Sequence, residues 1–118
     1  MESKQIINAL SALAQETRLA VFRLLVQAGP AGLAAGGIAT RLDLPGATLS
    51  FHLRELSHAG LVTATRQSRS IIYAADFAAM RKLLGFLTEN CCTLAPDASC
   101  DPGLPACGAP EEEKESLS

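Results

Sequence analysis

Apolar positions along this 118-residue chain recur at helical spacing over most of its length and turn strand-like only in one short stretch. In the first segment Ile6, Leu10, Leu13 and Ala14 fall on one side of a helix. A second helix is expected from about Gln15 to Gln27, with Leu19, Phe22, Leu25 and Val26 as its buried stripe, and Gly29-Pro30 stops it. Gly32 to Gly37 reads as a loose, glycine-rich approach to a short third helix, roughly Ala35–Leu42. Asp43-Leu44-Pro45-Gly46 is a turn, and Pro45 suits the first turn of a fourth helix running to about Ala59. Leu49, Leu53 and Leu56 face inward from that helix, and Gly60 follows it at the C′ position. Leu61–Thr65 and Ser70–Ala74 are β-like and flank Arg66-Gln67-Ser68-Arg69, which reads as the end of a hairpin. A last helix is expected after Asp76, its N-cap, and reaches about Asn90 with Phe77, Met80, Leu83, Leu84 and Leu87 as apolar positions.

Beyond Cys92 the pattern changes: Pro96, Pro102, Pro105 and Pro110, with Gly103 and Gly108, exclude a regular helix. The chain therefore divides into residues 1–92, a folded domain, and residues 93–118, an irregular tail carrying Cys100 and Cys107. The order ααααββα is mainly helical and reads as a winged helix-turn-helix, in which the fourth helix enters a major groove and the hairpin lies along the DNA backbone or minor groove. Composition agrees: 48% of residues are apolar but only 4% aromatic, with no Trp, which favours packed helices over a sheet sandwich. A domain this small often gains stability by dimerising.

The formal net charge of −2 does not suggest a DNA binder until its distribution is considered. Glu111, Glu112, Glu113 and Glu115 against Lys114 leave the last eight residues at −3, a solvated acidic end. Between Ile38 and Lys82, six basic residues (Arg41, Arg54, Arg66, Arg69, Arg81, Lys82) oppose Asp43, Glu55 and Asp76, a net of +3 where the DNA motif lies. The first residues lack the basic and apolar regions of a signal peptide, and no apolar run approaches the ~20 residues that span a bilayer. A cytoplasmic protein with no membrane partner is expected, in a compartment where thiols stay reduced.

On the fourth helix Thr48, Ser50, Phe51 and Arg54 lie off the leucine stripe. Hydroxyls can bond bases or phosphates, and Arg54 can reach a phosphate or a guanine edge. Arg66 and Arg69 bracket a polar hairpin tip suited to phosphate. Each has a plainer reading. Arg54 beside Glu55 is also an ordinary solvated helix face, and the hairpin arginines also keep an edge soluble. His52 suits a structural or capping role, and His58 a favourable charge at a helix C-terminus.

Two runs carry a family resemblance: Ala14-Gln15-Glu16-Thr17-Arg18-Leu19 with Phe22-Arg23-Leu24-Leu25, and Leu49-Ser50-Phe51-His52-Leu53-Arg54-Glu55-Leu56 followed by Ala59-Gly60-Leu61-Val62 and Tyr73. In order and spacing, over about residues 5–90, they resemble the ArsR family of repressors. The resemblance implies a homodimer built from the first and last helices, bound to pseudo-palindromic double-stranded operator DNA with its recognition helices about one turn apart. It also implies DNA contacts at Gly46, Ala47, Thr48, Ser50 and Phe51, of which Gly46 and Ala47 offer no polar side chain.

All four cysteines follow residue 90, in the pattern Cys91-Cys92-x7-Cys100-x6-Cys107. Adjacent Cα atoms lie about 3.8 Å apart, short of the usual disulfide span of about 4.4–6.8 Å, so Cys91 and Cys92 resist bridging each other and remain two neighbouring soft thiols. Cys100 closes a short loop back to them, and three converging sulfurs suit a pyramidal As(III) or Sb(III) ion. Cys91, Cys92 and Cys100 form the favoured ligand set, with Cys107 open as the third ligand instead. Many arsenic sensors of the family carry a Cys-x-Cys pair before the recognition element. Here that region is Ile38-Ala39-Thr40-Arg41, and the chain is similar instead to the subgroup with Thr88-Glu89-Asn90-Cys91-Cys92 after the last helix. Zinc-sensing relatives place His, Asp and Glu on the last helix, where this chain has only Asp76 and Glu89.

The reading is a repressor released from DNA by trivalent arsenic or antimony, without an organic cofactor. Alternatives are an organoarsenical sensed through Cys91 and Cys92 alone, zinc held by four thiolates, oxidation of cysteine pairs, and a partner-docking arm on a helical module. An enzyme is not expected: no His neighbours a Cys, and there is no phosphate loop or paired-carboxylate site.

Overall fold

A computed structural model describes residues 2–95; Cys100, Cys107, the acidic end and the rest of the expected tail lie outside the described residues. The elements are α1 (Ser3–Leu13), α2 (Glu16–Ala28), β1 (Leu33–Ala34), α3 (Ala35–Leu42), α4 (Gly46–His58), β2 (Val62–Gln67), β3 (Ser70–Ala75) and α5 (Phe77–Thr88). The chain forms two compact units, one ending at Leu84 and the second beginning at Gly85. Among the described residues no helix is long and apolar enough to cross a membrane.

The winged helix-turn-helix order stands, with one added element. β1 pairs antiparallel with β3, Leu33 opposite Tyr73 and Ala34 opposite Ile72, so the sheet has three strands in the order β1-β3-β2. Two residues are too few to alternate, and the surrounding glycines hid the strand. Gly32 makes it possible. Its φ is +70°, and a Cβ there would lie 2.3 Å from the Tyr73 carbonyl oxygen.

The hairpin is tighter than expected. β2 continues through Arg66, opposite Ile71, to Gln67, opposite Ser70, and only Ser68 and Arg69 turn, with Ser68 at φ +55°. Ladder pairing therefore makes Arg66 a strand residue and leaves Arg69 alone on the tip. Pro45 is the N-cap of α4 rather than a member of its first turn. α4 ends in a reversal at Gly60, φ +80°, with the Leu61 amide donating to the Leu56 carbonyl at 3.0 Å. Asp76 caps α5 as expected, its Oδ1 accepting from the Ala79 amide at 3.0 Å. That helix stops at Thr88, short of Asn90, whose φ of +60° leaves the helical region.

Leu25, Ile38, Leu49, Leu53, Leu56, Leu61 and Val21 form the fully buried centre of the first unit. The leucine stripe of α4 is as expected, but two other stripes are corrected. On α1 the buried residues are Ile6, Ala9 and Ala12, and Leu10 is exposed. Alanines let helices approach closely, so the small residues take the inner face. On α2 burial centres on Leu25, flanked by Val21 and Phe22, which leaves Leu19 exposed at the margin. α5 buries Ala79 and Leu83, while Leu84 and Leu87 are more than half exposed.

Candidate nucleic-acid interface and thiol pair

The core leucines of α4 decide what its other faces present. With Leu49, His52, Leu53 and Leu56 buried, the opposite side points outward: Gly46, Ala47, Thr48, Ser50, Phe51 and Arg54 are all exposed. Every expected residue of the recognition helix thus lies on the open side of one element. Pro45 supplies no side-chain cap, so no cap side chain takes the first-turn amides of Gly46, Ala47 and Thr48. Nothing lies within 4 Å of where a Gly46 Cβ would sit, so the backbone is open to close approach there. Arg66 and Arg69 are exposed on the hairpin. His58, in the last turn of α4, is exposed as well.

Phe51 is 47% exposed, which is unusual for so large an apolar ring and defines a feature of this surface. The Arg54 guanidinium carbon lies 5.9 Å from its ring centroid, a cation–π distance. The His52 ring meets it edge-on, with centroids 5.3 Å apart and planes at 64°.

His52 is the buried polar residue of the core, 8% exposed, and it has a specific partner. Arg18 of α2 donates from Nη1 to His52 Nδ1 at 3.2 Å and from Nε to the Ala12 carbonyl of α1 at 2.8 Å. A guanidinium has donors only, so Nδ1 must accept and the ring is the neutral Nε2–H tautomer. Burial first, then the Arg18 charge, lowers the His52 pKa below its ordinary 6.5, against a raising influence from Glu55. Local periodicity gave no sign of this link, because its partners lie 34 residues apart.

The link has a stability consequence. Because the folded-state pKa is lowered, the unfolded chain binds the proton more readily, and stability rises with pH across the interval between the two values. The contribution is fully present above about 6.5 and lost as the pH falls through the lowered folded value. Urea unfolding series from pH 8 to 5 should show the midpoint dropping in acid, with a smaller drop in His52→Gln.

In the second unit the chain leaves α5 through successive tight turns. The Thr88 carbonyl accepts from the Cys91 amide at 3.0 Å, and the Cys92 carbonyl accepts from the Ala95 amide at 3.1 Å. Asn90 and Cys92 both take left-handed backbone, φ +60° and +65°. Reversals on either side of Cys91 bring the two Sγ atoms to 3.2 Å, both residues half-buried. That distance is well beyond the ~2.05 Å of an S–S bond. Among the described residues no set of three or more His, Cys, Asp or Glu side chains gathers to hold a metal ion.

A helix-turn-helix domain family matches residues 13–64, which span α2, α3 and α4. Nodulation protein NolR of Rhizobium meliloti is 34% identical over 80 residues, covering 68% of this chain; the chain spans 63% of that relative's length. An ArsR-like transcriptional regulator from Rhodococcus sp. RHA1 has a similar structure, with TM-score 0.64 and 31% identity over 71% of this chain and 76% of that one. So does the homodimeric winged helix-turn-helix DNA-binding domain of a possible ArsR-family regulator from Mycobacterium bovis, with TM-score 0.59 and 29% identity over 74% of this chain and 81% of that one.

Proposed function

As the chain belongs to the ArsR family of winged helix-turn-helix transcriptional regulators, a family of regulators and not of enzymes, we propose that it is a homodimeric repressor that α4 docks on operator DNA and that trivalent arsenic or antimony releases through its C-terminal thiols. Thr48, Ser50, Phe51 and Arg54 meet base edges and phosphates, the first-turn amides of Gly46 and Ala47 meet phosphate, and Arg66 and Arg69 grip the backbone from the wing. Dimerisation uses the exposed apolar residues Ile7 and Leu10 of α1 and Leu84, Phe86 and Leu87 of α5.

The observation that carries the effector assignment is the 3.2 Å between the Cys91 and Cys92 sulfurs. Two sulfurs this close can both bind one thiol-seeking ion such as As(III) after small side-chain rotations. Thiolates also prefer such soft ions. Each As–S bond replaces a hydroxide of arsenous acid, which leaves as water with the thiol proton. Cys100 supplies the third sulfur. Capture draws the tail onto the end of α5, the helix that builds the dimer, and so changes how the two recognition helices are held. The ion shifts the equilibrium only by binding the DNA-released state more tightly.

A duplex selected from a randomised library, followed by fluorescence anisotropy, tests the reading. Arg66→Ala with Arg69→Ala should flatten the slope of log affinity against log salt by about two per protomer. An unchanged slope would take the wing off the DNA. Arsenite should release the duplex where zinc and peroxide do not. Release by zinc or peroxide alone would assign the thiols to another sensor. Release by methylarsenite that survives Cys100→Ser would make the pair a two-thiol organoarsenical site.

A further inference from the structure

We propose that Arg18 and His52 are positioning residues for DNA readout: together they form a buried link from α1 and α2 that holds Phe51 and Arg54 on the recognition face and lets go on acidification. The proposal rests on the DNA-reading role of α4 and adds residues that do not touch DNA themselves.

Five contacts build an unbroken path. The Ala12 carbonyl, in the last turn of α1, anchors the Arg18 Nε at 2.8 Å. The Gln15 side chain accepts from the Arg18 backbone amide at 2.8 Å and holds the start of α2. From that fixed base the guanidinium reaches His52 at 3.2 Å, and the imidazole edge braces the Phe51 ring at 5.3 Å. Phe51 in turn carries Arg54 at 5.9 Å. Phe51 is thus held between a buried imidazole and an exposed cation. His52 is buried and Arg18 half-buried, and the exposed ring in contact with the imidazole is Phe51, which carries Arg54.

The neutral tautomer is a condition of this path. A proton on Nδ1 would set N–H against N–H and two cations 3.2 Å apart. Arg18 is tied to Ala12, so the ring is the part that yields, and Phe51 loses its brace. Glu55, one turn along α4, favours the charged ring, while burial and Arg18 oppose it more strongly. The remaining ionisable groups of the packed elements, Lys4 of α1, Glu16 and Arg23 of α2, Arg41 of α3 and Arg66 of β2, are exposed and do not shift it. The sign is diagnostic. Acid makes a protein more positive as a whole, and phosphate attraction alone would then strengthen binding. A link through His52 predicts the reverse.

The full chain is measured with the selected duplex from pH 7.5 to 5.5, each sample checked as folded by circular dichroism. Wild-type affinity should fall by more than about threefold. His52→Gln retains an acceptor for Arg18 and cannot take the proton in this range. It should keep the neutral-pH affinity within about threefold and lose the acid decline. In the free protein, the Phe51 ring resonances should move with the His52 titration and stop moving with pH in His52→Gln. Rising or constant wild-type affinity in acid, or an equal decline in His52→Gln, overturns the proposal. So do Phe51 resonances that ignore His52, which would leave the pair a structural core contact. If no duplex binds at any pH, the DNA-reading role falls, while the resonances still report whether the link exists.

Discussion

Cys92→Ser should raise the arsenite concentration needed for DNA release by roughly 10²–10⁴-fold, with Cys91→Ser doing the same. The size follows from chelation. Once one sulfur has captured the ion, its neighbour, already at 3.2 Å, closes the second bond within the molecule. Removing either sulfur leaves the second bond to close through Cys100 across a longer loop and forfeits both the third bond and the effective concentration of the adjacent thiol. A serine hydroxyl is a poor substitute, being hard and protonated where the thiol is soft and easily ionised. Affinity for DNA without arsenite should change by less than about threefold, because both residues follow α5 in the chain and neither belongs to α4 or the hairpin. Equal arsenite sensitivity in wild type and Cys92→Ser would remove the pair from the sensing site and leave the repressor assignment intact. Cys107→Ser should leave release unchanged.

Gly32→Ala should destabilise the fold by about 3 kcal/mol or more, a large share of the ~5–15 kcal/mol that holds a small domain together. Two costs add. At φ +70° a residue with a Cβ is strained by about 1–2 kcal/mol. The new methyl would also sit 2.3 Å from the Tyr73 oxygen and 3.0 Å from its carbonyl carbon. Those are backbone atoms and cannot rotate away, so β1 must leave β3. Thermal unfolding should drop by roughly 10–25 °C. Gly29→Ala separates the two costs: nothing lies within 4 Å of its Cβ position, but φ +81° with ψ −171° is a backbone region nearly confined to glycine, so backbone strain alone, about 1–3 kcal/mol, should appear. Gly36→Ala, an open position inside α3, should instead stabilise by about 0.5–1 kcal/mol. If Gly32→Ala costs no more than the roughly 1–2 kcal/mol of its backbone strain, the close approach of Gly32 to Tyr73 is wrong.

The recognition surface was legible wherever one helix carried the whole signal. On α4 the leucines at 49, 53 and 56 assign the inner face unaided, and Thr48, Ser50, Phe51 and Arg54 are exposed as expected, while His52 joins the leucines inside. The Asp76 cap and the Gly60 reversal are equally local, each set by one side chain or one dihedral. Stripes were read less well where burial depended on size rather than polarity. Ala9 and Ala12 lie inside on α1 and Leu10 outside, because what fits depends on the helix it meets.

Sequence alone therefore determined the order of helices and hairpin, the outward face of α4 and the gathering of thiols after α5. These follow from hydrophobic periodicity, capping chemistry and residue spacing, which act within a few residues. Only the tertiary structure decided that Gly32 closes a third strand against Tyr73, that Arg18 crosses to His52, and that two adjacent sulfurs stand 3.2 Å apart. The first two join residues far apart in the chain, and the third depends on left-handed backbone at Asn90 and Cys92. Residue type biases such contacts and dihedrals, but the packed surroundings select among them.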